Sequence, residues 1–305
     1  MDMKKPLLSL LALTAVAAGA QKFEVVDVRL LPATGVEMYH PVFTPDGKQL
    51  LVTSEAYNGL GIINIDGTNY RALSDARSAG YYPAVSADGS SVTCRELDET
   101  TMTLSLMNID LATGSKRTLE NGMGHFNHIN LSGDEALMGV EGKMTRRKVA
   151  ARNQAENNVF VTEEDLKLVV YRNGERSVVD PLSTPDRDVN YCWSSLSPDK
   201  KHLLFVGGNN AYVSDLDGGN LVNLGRLHAP VWRDNDYVVA MDDRDDGYRY
   251  TASDIVIMGR DGNDRQQLTA TSSEIMMFPS VSAQGDRIAC HTTEGKVYIM
   301  TIKER

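Results

Sequence analysis

A short phrase recurs along this chain: a small residue, then Pro or Ala, Asp and Gly, followed by an apolar run. It stands as Thr44-Pro45-Asp46-Gly47 and Ser86-Ala87-Asp88-Gly89, with eroded copies at Ser132-Gly133-Asp134, Ser197-Pro198-Asp199-Lys200 and Ser282-Ala283-Gln284-Gly285. Self-similarity at a spacing of roughly 40 residues marks a propeller or a solenoid. A repeated strand-turn unit is a scaffold, so function has to be sought where the repeat is interrupted.

Each repeat divides into four strands, a to d. In the first, Pro41-Val42-Phe43 reads as strand a and Pro45-Asp46-Gly47 as a tight turn, because Pro fixes φ and Gly accepts positive φ. Gln49–Ser54, Gly61–Ile65 and Tyr70–Leu73 follow as strands b, c and d. Their β-branched and apolar content suits strands buried on both faces. Further repeats start at Tyr82, His128, Trp193, near Pro230 and at Phe278; the last ends without a strand d. Glu24–Leu31 reads like the missing strand, followed by Thr34-Gly35. The expectation is an all-β, six-bladed β-propeller with four-stranded blades, closed by the N-terminal strand, which removes an exposed sheet edge.

The first residues read as a secretory signal: Lys4 and Lys5, the apolar stretch Leu7–Ala18, and a small-x-small site at Ala18-Gly19-Ala20. Residues 1–20 are then a signal peptide and 21–305 a single propeller domain, in the periplasm or secreted. The apolar run is short for a membrane span, and membrane insertion is not expected. The formal net charge is −10, which disfavours nonspecific binding to nucleic acid and anionic lipid. Three cysteines, Cys94, Cys192 and Cys290, form no metal-type spacing. Cys94 and Cys290 align at one strand position and read as small buried hydrophobes. There is no G-x-S-x-G elbow and no phosphate-binding loop.

The phrases HPVFTPDGKQLLVTS, YYPAVSADGSSVTC and SSLSPDKKHLLFVGG resemble the propeller repeats of the periplasmic TolB family, and similar repeats occur in prolyl-oligopeptidase-type peptidases. The resemblance covers nearly the whole chain after residue 20. It implies a periplasmic propeller used as a binding surface. Two departures stand out: little sequence precedes the first repeat, where the TolB family carries an α/β domain, and the peptidases' hydrolase domain is absent.

Three features depart from the repeat. The first is a long b–c segment, Gly139–Asp165, carrying Lys143, Arg146, Arg147, Lys148 and Arg152. Long irregular segments in compact domains are often functional, and this one reads either as a partner-binding or channel-covering loop or as a solvated charged extension such as a hairpin. The second is Met241–Thr251, where Asp242, Asp243, Asp245 and Asp246 offer oxygen ligands for Ca²⁺ or another divalent metal. The EF-hand spacing fails at Arg244, and the alternative is a solvated acidic turn. The third is the residue that opens each strand a: His40, Tyr82, His128, Trp193, Ala229 and Phe278. Strand a is innermost, so these side chains are expected to ring the channel mouth. Five of the six are aromatic or His, in a chain only 7% Phe, Trp and Tyr, and such groups suit ligand or peptide contact.

These features point to a non-catalytic binding or scaffold propeller. It would engage a protein, peptide or cell-envelope partner through the face carrying the long b–c loops. The alternative is a metal-dependent uronate lyase in which His40, His128 and His228 hold a divalent metal. That reading rests on a loose resemblance to exported oligogalacturonate lyases, which have seven blades where the repeats here count six.

Overall fold

The computed structural model describes residues 21–32, 35–149, 155–269 and 272–305; the expected signal peptide, Thr34 and Arg152 lie outside them. The described chain is entirely strands and turns. No helix among the described residues is long and apolar enough to cross a membrane.

Strand β1 (Phe23–Leu30) leads into blade one, formed by β2 (Tyr39–Phe43), β3 (Gln49–Thr53), β4 (Leu60–Asn64) and β5 (Arg71–Ser74). Blade two joins β6 (Ala84–Val85), β7 (Ser91–Asp98), β8 (Thr103–Asp110) and β9 (Lys116–Met123). Blade three has β10 (Asn130–Ser132), β11 (Glu135–Val140) and β12 (Lys143–Lys148), and blade four β13 (Val159–Glu164), β14 (Lys167–Arg172) and β15 (Glu175–Val179). Blade five follows with β16 (Tyr191–Leu196), β17 (His202–Gly207), β18 (Asn210–Asp215) and β19 (Val222–Gly225). Blade six has β20 (His228–Trp232), β21 (Tyr237–Asp245), β22 (Tyr250–Gly259) and β23 (Gln266–Gln267). Blade seven contains β24 (Met276–Val281), β25 (Arg287–Thr292) and β26 (Val297–Glu304), completed by β1 on the outer edge of β26.

The ring therefore has seven blades, not the six counted from the repeats. It is an all-β seven-bladed propeller in which blades three and four show three strands each among the described residues. The miscount has a local cause. Gly139–Asp165, read as one loop, folds as two hairpins: β11 returns as β12 around Glu141-Gly142, and β13 opens the next sheet. Glu141 and Gly142 both take positive φ, as do Asp165 and Leu166 at the β13–β14 turn, the twist-matched geometry of two-residue hairpins. Blade four has no small-Pro-Asp-Gly turn of its own, so a count of that phrase passes over it.

Closure follows the expectation. β1 pairs antiparallel with β26 from Phe23↔Glu304 to Leu30↔Tyr298. Phe23 is fully buried, edge-on to Tyr237 at 4.9 Å and beneath the Arg233 guanidinium at 4.7 Å.

The repeated phrase works as a side-chain-locked turn. Thr44 Oγ1 donates to Asp46 Oδ1 at 2.8 Å, and the same carboxylate accepts from Lys48 N at 3.0 Å. Gly47 N donates to Thr44 O at 2.8 Å, with Gly47 at φ +67°. Ser86 with Asp88 and Ser197 with Asp199 repeat the hydroxyl–carboxylate bond at 2.7 Å, the local bonding that gives these residues their turn preference.

The buried apolar side chains form seven clusters among the described residues, one at each seam between neighbouring blades. The seam between blades three and four is the slightest, with Leu137, Phe160, Val169 and Tyr171. Cys94 and Cys290 sit fully buried and unbonded in two of the other clusters, as their shared strand position predicts.

Candidate ligand site at the channel mouth

The residues that open strand a share a backbone distortion. His40, Tyr82, Trp193, Ala229 and Phe278 all have φ between +44° and +53°. The ladders of β2, β16, β20 and β24 shift register by one residue across His40, Trp193, Ala229 and Phe278. These are β-bulges, which bend a strand and re-aim one side chain. Left-handed backbone costs a non-glycine residue on the order of 1–2 kcal/mol, and its recurrence in five blades marks a built feature of the ring. His128 lacks the positive φ; its imidazole stacks on Tyr82 with centroids 4.4 Å apart.

The five predicted ring residues do come together, and other rings join them. An arc of contacts runs from His128 through Tyr82, Tyr81, Tyr57, His40, Phe278 and Trp193 to His228. The closest pair is His40 over Tyr57, stacked at 3.9 Å. Tyr57, Tyr81 and His291 were missed by the sequence reading because they lie outside the strand-a position. Tyr57, on the short β3–β4 loop, was the findable one: b–c loops share a face with the start of strand a.

Two connected spaces lie inside this arc. The outer basin, about 1000 Å³, is bounded by His40, Tyr57, Trp193, His228 and Phe278 and by the β21–β22 hairpin residues Tyr248 and Tyr250. The inner space, about 480 Å³, runs down the channel past Tyr82, His128, Trp193 and the strand-a prolines Pro41, Pro83, Pro230 and Pro279. His40, Tyr57, Trp193 and Phe278 border both. A separate cavity of about 630 Å³ is lined by charges already paired with one another, among them Arg233 with Asp234, Arg260 with Asp236 and Lys22 with Glu304.

Electrostatically the mouth combines two imidazoles that burial keeps neutral, His40 and His291, with two buried carboxylates, Asp243 and Glu163. Burial, and then the neighbouring His291, bring His40 down to about 4 despite its bond to Glu55 O at 3.1 Å. Burial also brings His291 to about 4; its Nδ1 donates to Thr292 O at 2.9 Å, which leaves Nε2 buried without a partner. His228 Nδ1 lies 2.7 Å from Asp243, which is 1% exposed. Burial raises the Asp243 carboxyl, but His228 and Arg226 outweigh it and hold the group below its usual range. Glu163 behaves alike: burial opposes its charge, while His128 and the Ser194 N–H, 2.7 Å away, prevail.

The acidic and basic segments fall elsewhere or apart. Asp242 pairs with Arg265, Asp243 with His228, and Asp245 with Arg226, while Asp246 accepts from Tyr248 N and Arg249 N in the hairpin turn. Met241–Thr251 is thus mostly the long β21–β22 hairpin and not an open loop. Among the described residues, no group of three or more His, Cys, Asp or Glu is placed to hold a metal ion. Lys143, Arg146, Arg147 and Lys148 lie on β12, where Arg146 pairs with Glu135, Arg147 with Glu120 and Lys148 with Asp134.

Comparison with protein-family models finds no match for the chain, and comparison with curated proteins finds none. With seven blades in the ring and no family match, the resemblance of the repeats to TolB propellers does not extend to family membership. The sheets establish a seven-bladed propeller, and the comparisons establish no family.

Proposed function

We propose that the protein is a binding propeller that seats a peptide or protein segment in the aromatic basin at its channel mouth, without catalysis. The observation that carries this reading is the arc of eight aromatic and imidazole rings at the channel mouth, five of which (His40, Tyr57, Phe278, Trp193 and His228) border a basin of about 1000 Å³. Rigid rings offer large contact area at small entropic cost, and a half-buried Trp beside a cavity is a typical binding anchor. The N-terminal sequence supports an exported location and so a partner in the cell envelope.

The test is crosslinking capture from envelope extract with wild type and with Trp193→Ala. Truncating one anchor is expected to weaken binding by about 1–3 kcal/mol. Capture unchanged by Trp193→Ala and by Tyr248→Ala together would remove the basin from the reading. For a uronate lyase, the seven-bladed ring removes one objection. However, His40, His128 and His228 are engaged by Glu55 O, Glu163 and Asp243 respectively, and no shared metal position among the described residues supports it. Metal analysis and ultraviolet absorbance on uronate oligomers separate the two readings.

A further inference from the structure

Arg95 is a cation enclosed between blades two and three with no acid paired to it among the described residues. It lies on β7 and is 2% exposed. Its two Nη atoms donate to the carbonyl oxygens of Phe126 and Asn127. The rings of Tyr81 and Phe126 flank the guanidinium at 4.7 and 4.8 Å. Its Nε–H has no acceptor among the described residues. Burial pulls the group down to about 10, and the side chains that oppose this are Tyr81, Tyr82 and Cys94, none of them a carboxylate. A buried charge without a counter-charge is costly, and structures normally pair it.

The missing counter-charge has a place to sit. A cavity of about 400 Å³ opens beside Arg95. Ser78 and Tyr81 stand in its wall, with His125, whose Nε2 lies 3.0 Å from Asn127 Oδ1, and Leu97, Leu104 and Met102 make it apolar; no carboxylate lines it. Met102, 69% exposed, stands at the outside. One guanidinium, an imidazole held by Asn127, two hydroxyl-bearing side chains and aliphatic walls match a monoanion on an apolar group. A dianion would leave excess negative charge in the same enclosed space.

We propose that this cavity binds a carboxylate carried on a small aliphatic group, with Arg95 as its counter-charge. A free branched acid and the C-terminus of a peptide ending in an aliphatic residue present the same chemistry. The site shares Tyr81 with the aromatic arc but no lining residue with the channel-mouth basin, and it does not depend on how that basin is used.

The test is ¹⁵N NMR of the arginine Nε–H signals in the full chain, with calorimetry alongside. The probes are isovalerate, N-acetyl-leucine, N-acetyl-leucinamide and acetyl-Gly-Gly-Leu with a free C-terminus. The acids are expected to shift the Arg95 Nε–H signal, and the amide to bind about tenfold more weakly or worse, as loss of a charge-assisted bond requires. Arg95→Met should abolish binding of the acids. Because that variant leaves the Phe126 and Asn127 carbonyls without donors, the wild-type NMR readout decides if it fails to fold. Tighter binding of the tripeptide than of isovalerate supports the site with a peptide terminus as its source, and the reverse order supports it with a free acid. Equal shifts from acid and amide, or no shift of Arg95 Nε–H with any acid, would overturn the proposal.

Discussion

His128 Nε2 lies 2.9 Å from a carboxylate oxygen of Glu163, joining blade three to blade four. The other Glu163 oxygen accepts from Ser194 N in blade five at 2.7 Å. One buried side chain therefore ties three blades together at the place where the sequence period breaks and the apolar seam is slightest.

Replacing Glu163 with Gln should cost about 1–3 kcal/mol of stability at neutral pH, since charge-assisted bonds to a buried group are lost. Because the folded carboxyl sits below its ordinary value, its contribution is complete above the unfolded pKa. It is lost as the pH falls through the lowered folded value. Denaturant melts at pH 7 and at acid pH check this: the difference between wild type and variant should shrink toward acid.

His40 and His291 act over a higher pH window. Both are held near 4 in the fold, against 6.5 ordinarily. As the pH drops below 6.5 the unfolded chain takes up protons that the folded chain refuses, so stability falls between 6.5 and 4. The expected loss is on the order of 3 kcal/mol for each histidine. Thermal melts of wild type and of His291→Gln across this range should diverge, with the variant the less pH-dependent. Parallel curves would show that His291 does not carry the effect.

Phe23→Ala should destabilise the ring by about 3–5 kcal/mol, the usual cost of emptying a buried aromatic site. The loss falls on the β1–β26 closure and exposes a strand edge. A lower Tm accompanied by concentration-dependent aggregation would be its signature, read by light scattering during the melt.

Ala229 is the one small residue among the left-handed bulges, with φ +44°. Ala229→Gly relieves the strain of that conformation and should leave stability unchanged or raise it by up to about 1 kcal/mol. Ala229→Val should destabilise, because a β-branched residue tolerates positive φ poorly. Chemical denaturation of the two variants checks the order.

Much of this was legible in the sequence. The small-Pro-Asp-Gly turn specifies its own geometry through bonds such as Thr44 to Asp46, so the strands around it could be placed from local chemistry. The same locality placed β1 as the closing strand and His40, Tyr82, Trp193 and Phe278 at the mouth. Blade four escaped because the β11–β12 hairpin of blade three turns on Glu141-Gly142 and the β13–β14 hairpin of blade four on Asp165-Leu166, and Leu166 is not a residue that announces a left-handed turn. The acidic run escaped for another reason: neighbouring residues on a strand point to opposite faces, so Asp242 and Asp243 meet different partners.

The sequence alone thus determined the repeating unit, the closure and the inner ring, all of which rest on short-range turn chemistry and alternation. The tertiary structure decided the blade count, the pairing of Glu163 with His128 and the isolation of Arg95. The last two depend on contacts between residues more than 30 positions apart, and a local pattern does not encode which distant group arrives beside a buried charge.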